Sequence, residues 1–136
     1  MAVEIFGTYL GDKKLELRHG PSGTKILTAA PIDNNGDGSS FSPTDLCAAS
    51  LGACVTTVMA IFAENSGIDL TGTTFKVEKH MESNPRRIGS LPVEIHLPKR
   101  LTEIERTKLE RVGRTCPVCR SLGEQVHHEL NFVYDV

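Results

Sequence analysis

Hydrophobic and polar residues alternate near the start of the chain, with the period of a β-strand. Leu15 and Leu17, for example, alternate with charged neighbours. Turn residues divide this region at the Gly-Asp pair 11–12 and the Gly-Pro-Ser-Gly run 20–23, and a polar loop rich in Asn, Gly and Ser follows at 33–40. The pattern therefore predicts an antiparallel meander of three strands.

A long helix is predicted after this loop. Ser42 can cap its N-terminus, Pro43 suits the first helical position, and Asp45 completes a capping box with Ser42. The helix should run to about Asn65, since Gly67 is a good stop. It is apolar on nearly all sides, which predicts a buried central helix.

The second half of the chain predicts strands, a broken helix and a final strand. Alternation indicates strands at 73–81 and 92–97. A second capping box at 102–105 begins an amphipathic helix, which the Cys-Pro pair at 116–117 interrupts. The chain closes with a predicted strand at 129–134.

This order of elements favours an α+β fold, because strands come in runs rather than alternating strictly with helices. The 136 residues fit one domain, 1–136. The net charge of −2 gives no electrostatic argument for nucleic acid or an anionic membrane, so neither is expected as a partner. The uncharged run 46–63 is long enough for a membrane span, but its small and polar residues favour a core helix. No signal peptide is visible, so a cytoplasmic location is expected.

The four cysteines are the main candidates for chemistry. Without a secretory signal, a structural disulfide framework is not expected, and buried thiols, a metal site or a redox pair remain. Cys47 is expected in the core. Cys54 lies in the middle of the long helix, where it is either a small core residue or a reactive thiolate that needs a nearby cation.

The segment from Cys116 to Cys119 is a C-P-x-C motif, a redox signal in which the start of a helix can stabilise a thiolate. Its position late in the chain argues against a thioredoxin fold. Zinc is the alternative for such a pair, with His127 and His128 as further candidate ligands. No nucleotide-binding loop or nucleophile elbow is present, and no cofactor is expected.

Two motifs together resemble the OsmC/Ohr family, the osmotically inducible protein C and organic hydroperoxide resistance proteins. The first is Ser-Pro-Thr-Asp-Leu at 42–46 with Gly-Ala-Cys at 52–54, which resembles that family's central helix. The second is the Cys-Pro pair near the C-terminus. The resemblance spans almost the whole chain, including the final strand.

The resemblance implies an α+β fold in which antiparallel strands surround a long buried central helix and a second broken helix, with the strands of two subunits wrapped around the two central helices in an intertwined homodimer. It implies reduction of organic hydroperoxides, and of hydrogen peroxide less well. Cys54 would be the peroxidatic thiolate and Cys116 the resolving thiol. An external dithiol, lipoyl-type in the hydroperoxide branch, would restore both.

The resemblance also implies an Arg beside the reactive sulfur, paired with a carboxylate. Arg18 and Asp45 are the candidates. The chain departs from the family at Thr44, where the hydroperoxide branch commonly has Glu, and at Cys119, which offers an alternative resolving thiol. Thr44 keeps open a second hypothesis, a protein of this fold that binds a small apolar ligand with little turnover.

Overall fold

The computed structural model describes all 136 residues. By backbone contacts the chain divides into two compact units, residues 1–47 and 48–136. The long helix α1, Pro43–Asn65, begins in the first unit and continues in the second.

The first unit contains the predicted three-stranded meander. Its strands are β1 (Ile5–Gly11), β2 (Lys14–His19) and β3 (Lys25–Ala29), paired antiparallel in the order β1-β2-β3. The predicted loop at 33–40 follows, with a single 3₁₀ turn, Ile32–Asn34, at its start.

Helix α1 begins and ends as predicted. The backbone N–H of Ser42 donates to the Asp45 carboxylate at 2.9 Å, and the N–H of Asp45 donates to Ser42 Oγ at 3.1 Å, which is the expected capping box. At the other end Gly67 adopts a left-handed φ of 70°, which a glycine tolerates without strain.

The burial of α1 differs from the prediction. Only one stripe of the helix is buried in this chain, and its members recur at helical spacing: Ala48, Leu51, Gly52, Val55, Met59 and Ala63. Ile61 is exposed on another side. By length and composition α1 could also cross a membrane, a property that core helices of soluble proteins share.

The second unit packs a four-stranded sheet with helices. Its elements in chain order are β4 (Thr74–Val77), β5 (His80–Glu82), β6 (Arg87–Leu97), α2 (Glu103–Gly113), α3 (Pro117–Ser121) and β7 (His127–Tyr134). The second predicted capping box is present at the start of α2, between Thr102 and Glu105. Together these elements confirm the α+β class.

The single strand predicted at 73–81 is wrong, because β4 and β5 are separate and pair antiparallel with different halves of β6. The break lies where the N–H of Glu78 donates to the carbonyl oxygen of Pro92 at 3.1 Å. Since Pro92 has no N–H, the return hydrogen bond of that ladder position cannot form.

Strands β6 and β7 are both longer than predicted, and β7 pairs with β6 in parallel, with Ser90 opposite His127 and Leu97 opposite Tyr134. The antiparallel arrangement expected for the strands therefore fails at this pair. The chain between them, which contains α2 and α3, is the long crossover that parallel neighbours require.

Candidate functional site

Cys54 lies in the second unit on α1 and packs against the buried core cluster while remaining partly exposed. The neighbouring Leu51 and Val55 are fully buried in that cluster. The helix therefore holds the Cys54 side chain at the border of the core.

Cys116 lies within the crossover, between α2 and α3 and immediately before α3. It is the N-terminal cap of α3, and Pro117 occupies the first helical position, where a missing N–H costs nothing. Its Sγ accepts a hydrogen bond from the N–H of Cys119 at 3.1 Å. Cys116 is 0% exposed, and its hydrogen bond as the cap of α3 holds the buried sulfur in place.

Cys54 and Cys116 lie close enough in the folded chain for each thiol to influence the pKa of the other. The backbone N–H of Val118, one residue after the Cys-Pro pair, lies near the sulfur of Cys54 and lowers the pKa of that thiol. The segment that carries the second thiol thus also supplies a polar contact to the first.

Burial raises the pKa of Cys54, and contact with Cys116 adds to the rise, whereas the Val118 N–H opposes it. Burial likewise raises the pKa of Cys116, with a further rise from its hydrogen bond to Cys119. No cation is among these contributions. Within the second unit, the surroundings therefore favour the neutral thiol over the thiolate.

The other two cysteines lie in different surroundings. Cys119 is 9% exposed and lines a cleft of about 640 Å³. The cleft is also lined by Arg114, His127, His128, Glu129 and Leu130. Cys47, expected in the core, is only half-buried and belongs to the first unit.

Arg18 and Asp45, the predicted cation and carboxylate, both belong to the first unit. The Arg18 guanidinium lies over the ring of Phe6, 4.5 Å from its centroid. Asp45 accepts the capping hydrogen bond from Ser42. Their assignment to the thiol site remains a prediction.

Two features of the site were not predicted from the sequence. The Val118 N–H carries no side-chain signal, so no motif could indicate it. The second is the environment of His128, which the sequence indicated only as a candidate zinc ligand and whose Nδ1 is buried without a hydrogen-bond partner. No group of three or more His, Cys, Asp or Glu side chains is arranged to hold a metal ion, so the zinc hypothesis lacks a ligand set.

Comparison with known proteins identifies the family. The model of the OsmC family, described as OsmC-like protein, matches residues 36–131. A crystal structure of an osmotic stress induced and detoxification response protein from Psychrobacter arcticus 273-4 is 34% identical, with a TM-score of 0.91, covering 97% of this chain and 96% of that one. This chain therefore belongs to the OsmC-like family.

More distant structures share the fold. An organic hydroperoxide resistance protein OsmC from Legionella pneumophila has 18% identity and a TM-score of 0.77, covering 98% of this chain and 97% of that one. The organic hydroperoxide resistance protein OhrB of Bacillus subtilis has 14% identity and a TM-score of 0.70, with coverages of 97% and 98%. No curated protein matches the chain significantly.

Proposed function

We propose that this protein is a thiol-dependent peroxidase that reduces organic hydroperoxides, and hydrogen peroxide less well. The observation that carries the proposal is the proximity of the Cys54 and Cys116 thiols, each of which influences the pKa of the other. Two neighbouring thiols can form a disulfide where the backbone geometry allows it, and one of them, Cys54, is partly exposed to a substrate. The names of the Legionella and Bacillus proteins, which refer to organic hydroperoxide resistance, support this role.

The reaction begins at Cys54. Its thiolate attacks the outer oxygen of the hydroperoxide, the O–O bond breaks, and an alcohol leaves while the sulfur becomes a sulfenic acid. The thiol of Cys116 then condenses with the sulfenic acid, which releases water and forms the Cys54–Cys116 disulfide. An external dithiol, of the lipoyl type in this proposal, reduces the disulfide by two exchange steps and is itself oxidised to a disulfide.

The thiolate needs a cation, because burial raises the pKa of Cys54. We assign that role to Arg18, with Asp45 as the carboxylate that orients it. If Arg18 acts in this way, Arg18→Gln should move the pH dependence of Cys54 alkylation by iodoacetamide to higher pH, and Arg18→Lys should move it less. Identical profiles for the wild type and both variants would reject Arg18 as the cation.

The proposal includes a cytoplasmic homodimer, in which a second copy covers the apolar surface that this chain leaves exposed. The exposed apolar side chains include Ile5, Tyr9 and Leu27 on the meander of the first unit and, separately, Ile61 on α1 in the second unit. Sedimentation equilibrium would detect the dimer. A monomer at all accessible concentrations would contradict this part of the proposal.

The test of the function is consumption of cumene hydroperoxide with dihydrolipoamide as the reductant. Cys54→Ser should lower the rate by about 1000-fold or more, because it removes the nucleophile. Cys116→Ser should leave a sulfenic acid on Cys54 that dimedone traps. Cys47→Ser is the matched control, since it removes a half-buried thiol of the same helix and should change neither result.

A second candidate function is binding of a small apolar ligand with little turnover. The raised pKa of Cys54 favours it, since a neutral thiol is a poor nucleophile. A second observation is a cleft of about 620 Å³, lined by residues that include Ala60, Ile68 and Leu70. Saturable binding of an apolar fluorescent probe, displaced by fatty acids, with no loss of peroxide would favour this function over the first.

A further inference from the structure

Cys116 has two thiol neighbours. Its sulfur accepts a hydrogen bond from the N–H of Cys119 at 3.1 Å, and it lies close enough to Cys54 for each of these two thiols to influence the pKa of the other. Cys116 is therefore the middle member of a row of three thiols. Only two of these are needed for the cycle described above.

The three cysteines differ in their exposure to solvent. Cys54 is partly exposed on α1, Cys116 is inaccessible, and Cys119 lines the cleft formed with Arg114 and His128. A reductant cannot attack the sulfur of Cys116 directly, because an exchange reaction needs access to the sulfur that is attacked. Cys119 lines the cleft, so a disulfide that includes Cys119 could be attacked by a reductant bound there.

We propose that Cys119 is a third redox thiol, which moves the disulfide from Cys54–Cys116 to Cys116–Cys119 and presents it to an external dithiol bound in this cleft. The inference rests on the proposed peroxidase function and deepens it. Cys119 is thus distinct from the resolving thiol, because it acts after the first disulfide has formed.

The transfer is a thiol–disulfide exchange that needs no further oxidant. The thiolate of Cys119 attacks Sγ of Cys116, the Cys116–Cys119 bond forms, and the bond to Cys54 breaks with its electron pair leaving on Cys54. The proton that Cys119 loses is balanced by the proton that Cys54 gains. A disulfide between the first and fourth residues of a C-x-x-C segment is a common redox form.

His128 also lines the cleft, and its Nδ1 is buried without a hydrogen-bond partner. The cleft volume of about 640 Å³ is within the range of small-molecule sites.

Tryptic peptides distinguish the two disulfides. Cys116 and Cys119 lie together in peptide 115–120, whereas Cys54 lies in peptide 26–76. Reduced protein would be mixed with one equivalent of cumene hydroperoxide without a reductant, quenched with iodoacetamide at increasing times, digested and analysed by mass spectrometry. We expect the cross-link between the two peptides to appear first and then to give way to a disulfide within 115–120, with Cys54 alkylated.

Variants make the order of events testable. Cys119→Ser and Cys119→Ala should retain the cross-link between the two peptides at all times. Their reduction by dihydrolipoamide should be slower than that of the wild type by about tenfold, since the sulfur that lines the proposed dithiol cleft is lost. Cys54→Ser should form no disulfide within 115–120 on the same timescale, whereas Cys47→Ser should behave as the wild type does.

The outcomes separate this inference from the proposed function. If the wild type keeps the cross-link at all times, or if Cys119→Ser is reduced as fast as the wild type, the transfer is overturned while the peroxidase function stands. If the disulfide within 115–120 also forms in Cys54→Ser, it arises by direct oxidation, and the transfer is again overturned. If peroxide is not consumed and no disulfide appears, both fall.

Discussion

The two compact units of this protein place their apolar side chains in different surroundings. In residues 48–136 the large side chains Leu51, Ile95 and Leu109 are fully buried in one cluster. In residues 1–47 the side chains of Ile5 and Tyr9 are 68% and 65% exposed on β1. The second unit thus has a core of its own, whereas the meander shows apolar surface on strands that pair only with one another.

The residues assigned to the proposed function lie in both units. Cys54, Cys116 and Cys119 all lie in the unit with a buried core, which can hold them in place. The proposed cation, Arg18, lies on the meander, whose strands need an apolar partner surface to be stable. We therefore expect the sulfur geometry to tolerate changes in the meander, and the reactivity of Cys54 to depend on them.

The largest expected effect tests whether the second unit depends on its own core. Leu109→Ala removes a fully buried side chain of α2 and should lower the free energy of unfolding by roughly 2–5 kcal/mol. Ile104→Ala, on the same helix at an exposed position, should change it by less than about 0.5 kcal/mol. Urea unfolding followed by circular dichroism measures both, and equal effects would show that the cluster does not dominate stability.

The second prediction tests the meander. Leu27→Glu places a charge on exposed apolar surface of β3 and should raise the dimer dissociation constant at least tenfold, or about 1.4 kcal/mol. Lys13→Glu, in the turn before β2, is the control and should have little effect. Sedimentation velocity over a dilution series measures the constant, and an unchanged value for Leu27→Glu would place the contact surface elsewhere.

The third prediction concerns a local signal inside the second unit. Thr102→Ala removes the capping hydrogen bond to the N–H of Glu105 at the start of α2 and should cost about 1 kcal/mol of stability. Thr107→Ala changes the same residue type inside α2 and should have a smaller effect, because alanine favours helix. Both are measured by thermal unfolding, and a reversed order would contradict the role of the cap.

The smallest effect is a pH dependence within the second unit. Hydrogen bonds with Asp135 and then with Glu94 raise the pKa of His96, so folding favours its charged form. The stabilisation is complete below the unfolded histidine pKa of roughly 6.5 and is lost as pH rises through the higher folded value. His96→Gln should therefore destabilise the protein more at about pH 6 than at about pH 9 in urea unfolding. An equal effect at both pH values would exclude this contribution.

Local features of the fold could be predicted because they depend on neighbouring residues. The cap of α1 at Ser42 and its stop at Gly67 are confirmed, as is the three-stranded meander. The break between β4 and β5 was not predicted, although Pro92 indicates it. A proline within a strand removes a hydrogen bond of the ladder. The parallel pairing of β7 with β6 was not predicted, because the alternation of apolar and polar residues in a strand does not indicate whether the strand pairs parallel or antiparallel.

The sequence by itself determined the element types, the C-P-x-C segment and the candidate thiols, because each depends on residues close together in the chain. Only the tertiary structure decided which sulfurs meet. The proximity of Cys116 to Cys54 depends on how the crossover packs against α1, and the position of Cys119 at a cleft depends on where β7 lies. Contacts between distant residues follow from the packing of the whole core, which no local pattern specifies.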